Sequence, residues 1–229
     1  VLFRSTVAGN TCNSNSNYGV YLNSSNNNTV TGNTCDNNNV GGICLATSSN
    51  NNTVTGNTCN SNTNRGIGLN SASNNTVTGN TCNNNNYGIY LNSSNNNNTV
   101  TGNTCNNNSR GILLDSSSND NTITGNTCNN NGQGIRLSSL SNNTVTGNTC
   151  DNNNVGIYCL YSNNNTVTGN TCIRGTGLAA DYTSDQHTIQ LSGKDNNYNL
   201  IAMNNCMGKA PVDGGGTGNT LVYNKYNAT

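Results

Sequence analysis

Nine cysteines, Cys12, Cys35, Cys59, Cys82, Cys105, Cys128, Cys150, Cys172 and Cys206, are the residues with most obvious chemical potential. From Cys12 to Cys172 they recur at intervals of 23, 24, 23, 23, 23, 22 and 22 residues. Such a column supports three chemistries. The first is an inert buried thiol acting as a small hydrophobe. The second is a disulfide between neighbouring rungs, allowed by a Cα separation of about 4.8 Å but opposed by the required twist. The third is a metal or redox wire. Tetrahedral zinc needs four converging ligands and a linear column supplies about two, so neither metal nor cofactor is expected.

The second candidate set is threonine. Thr29 and Thr31, Thr53 and Thr55, Thr76 and Thr78, Thr99 and Thr101, Thr122 and Thr124, Thr144 and Thr146, and Thr166 and Thr168 repeat as T-x-T. If each pair lies on a strand, both hydroxyls point outward and two parallel files cover one flat face. That lattice resembles the ice-binding face of β-solenoid antifreeze proteins. It is also what exposed strands favour on propensity alone.

Carboxylates are sparse. A glycosidase pair must stand about 5–10 Å apart. Asp36 and Asp151 share a repeat position but are five rungs, or about 24 Å, apart. Asp115 and Asp120 read as turn formers. Only Asp181, Asp185 and His187 could converge, so no catalytic residue is assigned and no enzyme is expected. Tyr21, Tyr90 and Tyr158, with Arg136 in the same file, offer sugar-stacking positions, although Cys44, Gly68 and Leu113 interrupt that file.

These residues are positioned by one phrase, N-T-V-T-G-N-T-C, whose clearest copies end in the seven cysteines from Cys35 to Cys172. A second phrase, G-I-x-L, follows each cysteine, as in Gly88-Ile89-Tyr90-Leu91 and Gly111-Ile112-Leu113-Leu114. A fixed period of this length is the signature of a solenoid. Alternation turns Val30, Cys35, Val20 and Leu22 inward. Asn10, Asn33, Asn57, Asn80, Asn103, Asn126, Asn148, Asn170 and Asn204 then fall at one corner, where an amide ladder can link coil to coil. Leucine-rich-repeat spacing and helical segments are not seen.

Composition agrees. Hydrophobic residues are 30% of 229, there is no Trp, and eight basic residues balance eight acidic ones. Nucleic-acid binding needs clustered Lys and Arg, so that class is excluded, as are an anionic membrane surface and a transmembrane span. The start at Val1 reads as a mature product or a fragment.

N-T-V-T-G-N-T at Asn98–Thr104 with Y-G-I-Y-L at Tyr87–Leu91 resembles the NosD-like family, over residues 6–172. The resemblance implies a right-handed parallel β-helix. It implies a functional range from sugar-active enzymes to accessory proteins and plain surface modules. Members commonly carry an aliphatic residue where this chain has Cys, and the family's association with copper maturation is not carried over, because no Cys/His/Met cluster accompanies the match.

The expected architecture is therefore an all-β, right-handed parallel β-helix of nine to ten coils of 22–24 residues. Residues 1–172 form regular repeats, and residues 173–229 form an irregular C-terminal region with one or two final coils. The expected function is a non-enzymatic extracellular or cell-surface structural protein that self-associates through its ends. An unpaired strand edge recruits another strand, and head-to-tail contacts need not close, so filaments would follow. The alternatives are an ice-binding protein and a carbohydrate-binding or polysaccharide-cleaving β-helix.

Overall fold

The computed structural model describes residues 4–93 and 95–227. The chain is a parallel β-solenoid of about nine turns, built from two sheets. Three-residue strands, from Thr6–Ala8 through Thr99–Thr101 to Thr220–Val222, make a ten-stranded sheet. Strands of six residues, from Tyr18–Asn23 through Tyr87–Asn92 to His187–Ser192, make most of a nine-stranded sheet that ends at Val212–Asp213. Each strand pairs with its equivalent one repeat away and in register, for example Val77 with Val100 and Ile89 with Ile112.

That register follows from the side chains. In each T-V-T strand the valine is buried and the flanking threonines are half-exposed. The chain then turns at a glycine, puts Asn and Cys inside, and crosses to the longer strand. Each coil contributes about four apolar groups, such as Val77, Cys82, Ile89 and Leu91, all fully buried. A buried Ile or Leu is worth about 1.5–3 kcal/mol, and stacking joins the small sets into one continuous core.

The expected asparagine ladder is present. Asn57 donates its backbone N–H and its Nδ2 to Asn80 Oδ1, both at 2.9 Å, and Nδ2 also reaches Val30 O in the preceding coil at 3.0 Å. The same geometry runs from Asn10 to Asn224. Two further ladders share this direction, one from Asn28 to Asn219 and one from Asn15 to Asn153. Two more-exposed ladders run the opposite way, each side-chain oxygen accepting an N–H from the coil that follows. Asp36 and Asp151 belong to one of these, accepting from the backbone N–H of Asn60 and Ile173. They act as ladder acceptors where other coils use Asn.

After Cys172 the coil is interrupted by residues 173–186, which hold a short 3-10 turn at Ala179–Asp181. The six-residue sheet then resumes at His187, paired with Val155. Thr188 occupies the position that earlier coils give to glycine.

Candidate functional site

The longer strands present the richest outward face. Glycine breaks their alternation. A Cβ on Gly88 would lie 2.5 Å from Gly111 O and 2.9 Å from Cys105 Cβ, so this residue faces inward against the next coil. The residue before the glycine and the one two after it therefore emerge on the same side. Tyr18 and Tyr21 stack at 5.2 Å between ring centroids with an interplanar angle of 7°, and Tyr87 and Tyr90 approach to 5.0 Å.

Two adjacent files result. One runs Tyr18, Gly41, Arg65, Tyr87, Arg110, Gln133. The other runs Tyr21, Cys44, Gly68, Tyr90, Leu113, Arg136, Tyr158. One gap that sequence alternation left in the second file, Gly68, is covered by the first. Arg65 lies across Gly68, where any Cβ would collide with its Cδ. Its guanidinium sits 5.9 Å from the Tyr18 ring centroid and 5.7 Å from that of Tyr90. Arg110 lies 5.3 Å from Tyr87, and Arg136 lies 5.2 Å from Tyr158. Cation–π contacts of this kind hold both partners in place.

Hydrogen bonds fix the arginines further. Arg65 Nη1 donates to Asn70 Oδ1, and Arg110 donates through Nε to Gln133 Oε1 and through Nη1 to Tyr87 OH. Arg136 Nη1 donates to the same Gln133 oxygen at 3.4 Å. Beside Tyr87 and Arg110 a groove of about 500 Å³ opens, lined also by Asn86, Ser109 and Gln133. Burial raises the pKa of Tyr18 and Tyr90, with Cys44 adding to the first and Asp115 to the second. Their hydroxyls are neutral at physiological pH and available as donors and acceptors.

The threonine pairs fall where the repeat placed them. Thr29, Thr53, Thr76, Thr99, Thr122, Thr144 and Thr166 form one in-register file, and Thr31, Thr55, Thr78, Thr101, Thr124, Thr146 and Thr168 form the other. Both stop where Thr166 meets Leu200 and Thr168 meets Ala202.

All eleven cysteines are free thiols. Those from Cys35 to Cys206 in the column are buried, and Cys12 is half-buried. The sulfurs from Cys12 to Cys172 lie within hydrogen-bonding reach of one another in succession. Burial and the neighbouring sulfurs hold Cys82 well above the ordinary thiol range. Hydrogen bonding to the next sulfur, then burial, does the same for Cys128 and Cys172. Donation from Cys128 and Cys82 favours a thiolate at Cys105 between them, yet a charge there would sit among Val, Ile and Leu side chains. The same kind of donation lowers Cys59 and Cys150, so raised and lowered thiols alternate along the file while burial opposes charge at each of them.

Among the described residues no hydrogen bond joins Asp181, Asp185 and His187 to one another. The Asp181 carboxylate is taken up by its own loop, accepting from the backbone N–H of Leu178 and Thr176 and from the Thr176 hydroxyl, which lowers its pKa. Asp185 accepts from the Ser184 hydroxyl. Burial, then Lys209, lowers the pKa of His187, whose Nδ1 is buried without a partner. Lys209 itself is held by the carbonyls of Thr183, Ser184 and Gln186. A cavity of about 480 Å³ nearby is lined by Tyr182, Lys209 and Tyr226.

Sequence reasoning missed Tyr18, Arg65, Tyr87, Arg110 and Gln133. The available signal was the residue before each G-I-x-L glycine, which is Tyr, Arg or Gln in five coils.

A family model described as "Periplasmic copper-binding protein (NosD)" matches residues 4–131 and 95–228. No curated protein matches the sequence. Among solved structures the chain is similar to the periplasmic alginate epimerase AlgG, with TM-score 0.60, 21% identity, and 90% of this chain and 47% of that one covered. It is similar to the A-module of Azotobacter vinelandii mannuronan C-5 epimerase AlgE4, with TM-score 0.63, 16% identity, and coverage of 90% and 60%. A tailspike protein of E. coli bacteriophage HK620, in complex with a pentasaccharide, gives TM-score 0.62, 16% identity, and coverage of 86% and 42%. The chain thus spans about half the length of these structures, and the likeness is one of fold.

Copper, named in the family description, does not fit the residues present. Among the described residues no three of His, Cys, Asp or Glu converge on a point where a metal ion could sit. Thiolates suit Cu(I), but these sulfurs lie in one line inside a buried apolar slot.

Proposed function

We propose that this chain, which belongs to the NosD family, is a carbohydrate-binding β-solenoid of the cell envelope or exterior that holds its ligand without transforming it. The observation that carries the reading is the double file of tyrosines and arginines on the six-residue sheet. Tyrosines offer flat amphipathic faces at low entropic cost, and the arginines between them are locked by ring contacts and hydrogen bonds. A long sugar chain laid along the solenoid would meet one aromatic or guanidinium group on most rungs. Known structures of similar fold include alginate and mannuronan epimerases and a tailspike holding a pentasaccharide, which supports the reading by analogy. Self-association through the solenoid ends is a separate proposal, supported by the general tendency of unpaired strand edges to recruit strands.

A second reading, ice binding, is favoured by one observation, the two in-register threonine files on the opposite sheet. One pair of variants separates the readings. Tyr90→Ala is expected to weaken glycan binding at least about tenfold, or 1.4 kcal/mol, measured on a glycan array and by calorimetry. Replacing Thr99 and Thr101 together by Tyr should leave that binding unchanged. Carbohydrate binding is contradicted if no glycan is retained. Ice binding requires thermal hysteresis in dilute solution that the threonine variant, and not Tyr90→Ala, removes.

A further inference from the structure

Resting on the carbohydrate-binding reading, we infer that the ligand is an acidic polysaccharide whose carboxylates seat on Arg65, Arg110 and Arg136. The chain carries eight basic and eight acidic residues, yet three of the basic ones stand within four consecutive coils of one face. Their hydrogen-bond acceptors are all neutral: Asn70 Oδ1, the hydroxyls of Tyr18 and Tyr87, and Gln133 Oε1. These bonds orient the guanidiniums without cancelling their charge. Asp115, at the edge of the same face, engages the backbone N–H of Ser116.

Donors are left over. A guanidinium has five N–H groups. Arg136 uses one, in a weak contact, and Arg110 uses its Nε and Nη1, leaving its Nη2 without a protein acceptor among the described residues. The planar fork matches a carboxylate bidentately. Its side chain is already fixed by Tyr87 or Tyr158, so little rotamer entropy is lost on binding. Arg65 and Arg110 lie two rungs apart in one file, about 10 Å, with Tyr87 between them. Charge and ring alternate over the three rungs of Arg65, Tyr87 and Arg110, and Arg136 follows on the next rung. An extended polymer carrying an acid at intervals thus meets a guanidinium on three of four rungs. A neutral glycan would meet the arginine donors only with hydroxyl oxygens, without the charge or the bidentate geometry of a carboxylate.

The test is calorimetry with polygalacturonate, polymannuronate and polyglucuronate, each beside its own carboxyl-reduced neutral polymer, and with polyacrylate as a polyanion that is not a sugar. At least one polyuronate is expected to bind, and its reduced counterpart about 100-fold more weakly. Arg110→Gln and Arg136→Gln should each weaken binding about tenfold with unchanged thermal unfolding. Gln133→Glu, which removes no arginine but places a carboxylate between two of them, should do likewise. If reduced polymers bind as tightly as the acidic ones, the acidic ligand is overturned and the carbohydrate reading stands. If polyacrylate binds as tightly as any polyuronate, or if no sugar polymer binds, both fall.

Discussion

Asn103→Leu is expected to destabilise the solenoid by about 3–5 kcal/mol, measured as the shift in urea midpoint followed by far-ultraviolet circular dichroism. Asn103 Oδ1 accepts from the backbone N–H of Asn80 at 2.9 Å and from its Nδ2 at 3.0 Å. Its own Nδ2 donates to Val77 O, Thr101 O and Asn126 Oδ1. The residue is 1% exposed, so water cannot replace what leucine removes. An orphaned buried N–H costs about 1–3 kcal/mol and each further lost bond about 1 kcal/mol. Asn106 provides the control. It sits in a more exposed ladder, accepting from the Asn129 N–H at 2.7 Å, where solvent can substitute. Asn106→Leu should cost less than about 1 kcal/mol. Equal costs at the two positions would show that the buried amides do not carry the stacking.

The second large effect belongs to Gly111→Ala. A Cβ at Gly111 would lie 2.5 Å from Gly134 O and 3.0 Å from both Asn131 Nδ2 and Cys128 Cβ. The first of these is backbone of the following coil, which cannot rotate away as a side chain could. Since the same contact repeats at Gly88, Gly134 and Gly156, pushing one coil outward displaces its neighbours' register too. Overpacking of this kind costs about 3 kcal/mol, and loss of soluble folded protein is the extreme outcome. Gly102→Ala is the comparison. That glycine turns the chain at φ +63°, and its nearest neighbour to a new Cβ is Gly79 N at 4.0 Å. Its cost is one residue of left-handed strain, about 1–2 kcal/mol. Thermal melts should rank Gly111→Ala well below Gly102→Ala, and the reverse order would contradict the close approach of coils at this corner.

The N-T-V-T-G-N-T-C period made the solenoid, its inward Val and Cys files and the Asn33 ladder legible, because each depends only on strand alternation and a fixed repeat. The ladders through Asn28 and Asn15 were not, since Asn-rich turns are explained equally well by the tolerance of Asn for left-handed backbone. Residues such as Asn27, Asn51 and Asn97 do adopt it, while the side chains of their neighbours Asn52 and Asn98 are buried and donate through Nδ2 to Asn75 Oδ1 and Asn121 Oδ1 of the adjoining coil. The binding face was half legible. Simple alternation finds Tyr21 and Tyr90 but assigns Tyr18 and Tyr87 to the interior. The inward glycine breaks the alternation, so residues three apart, not two, share a face. The resumption of the sheet at His187 was hidden for a similar reason, as threonine replaces the glycine that marks this strand elsewhere.

The most direct test is amide chemical-shift mapping with the tightest-binding oligosaccharide from the polymer panel, on protein labelled with nitrogen-15. The largest changes are expected in Arg65–Asn70, Tyr87–Asn92, Arg110–Asp115 and Gln133–Ser138, the strands that carry the three arginines and the tyrosines between them. Changes concentrated in Thr99–Thr101 and Thr122–Thr124, or around Tyr182, Lys209 and Tyr226, would place binding elsewhere and contradict the assignment of this face.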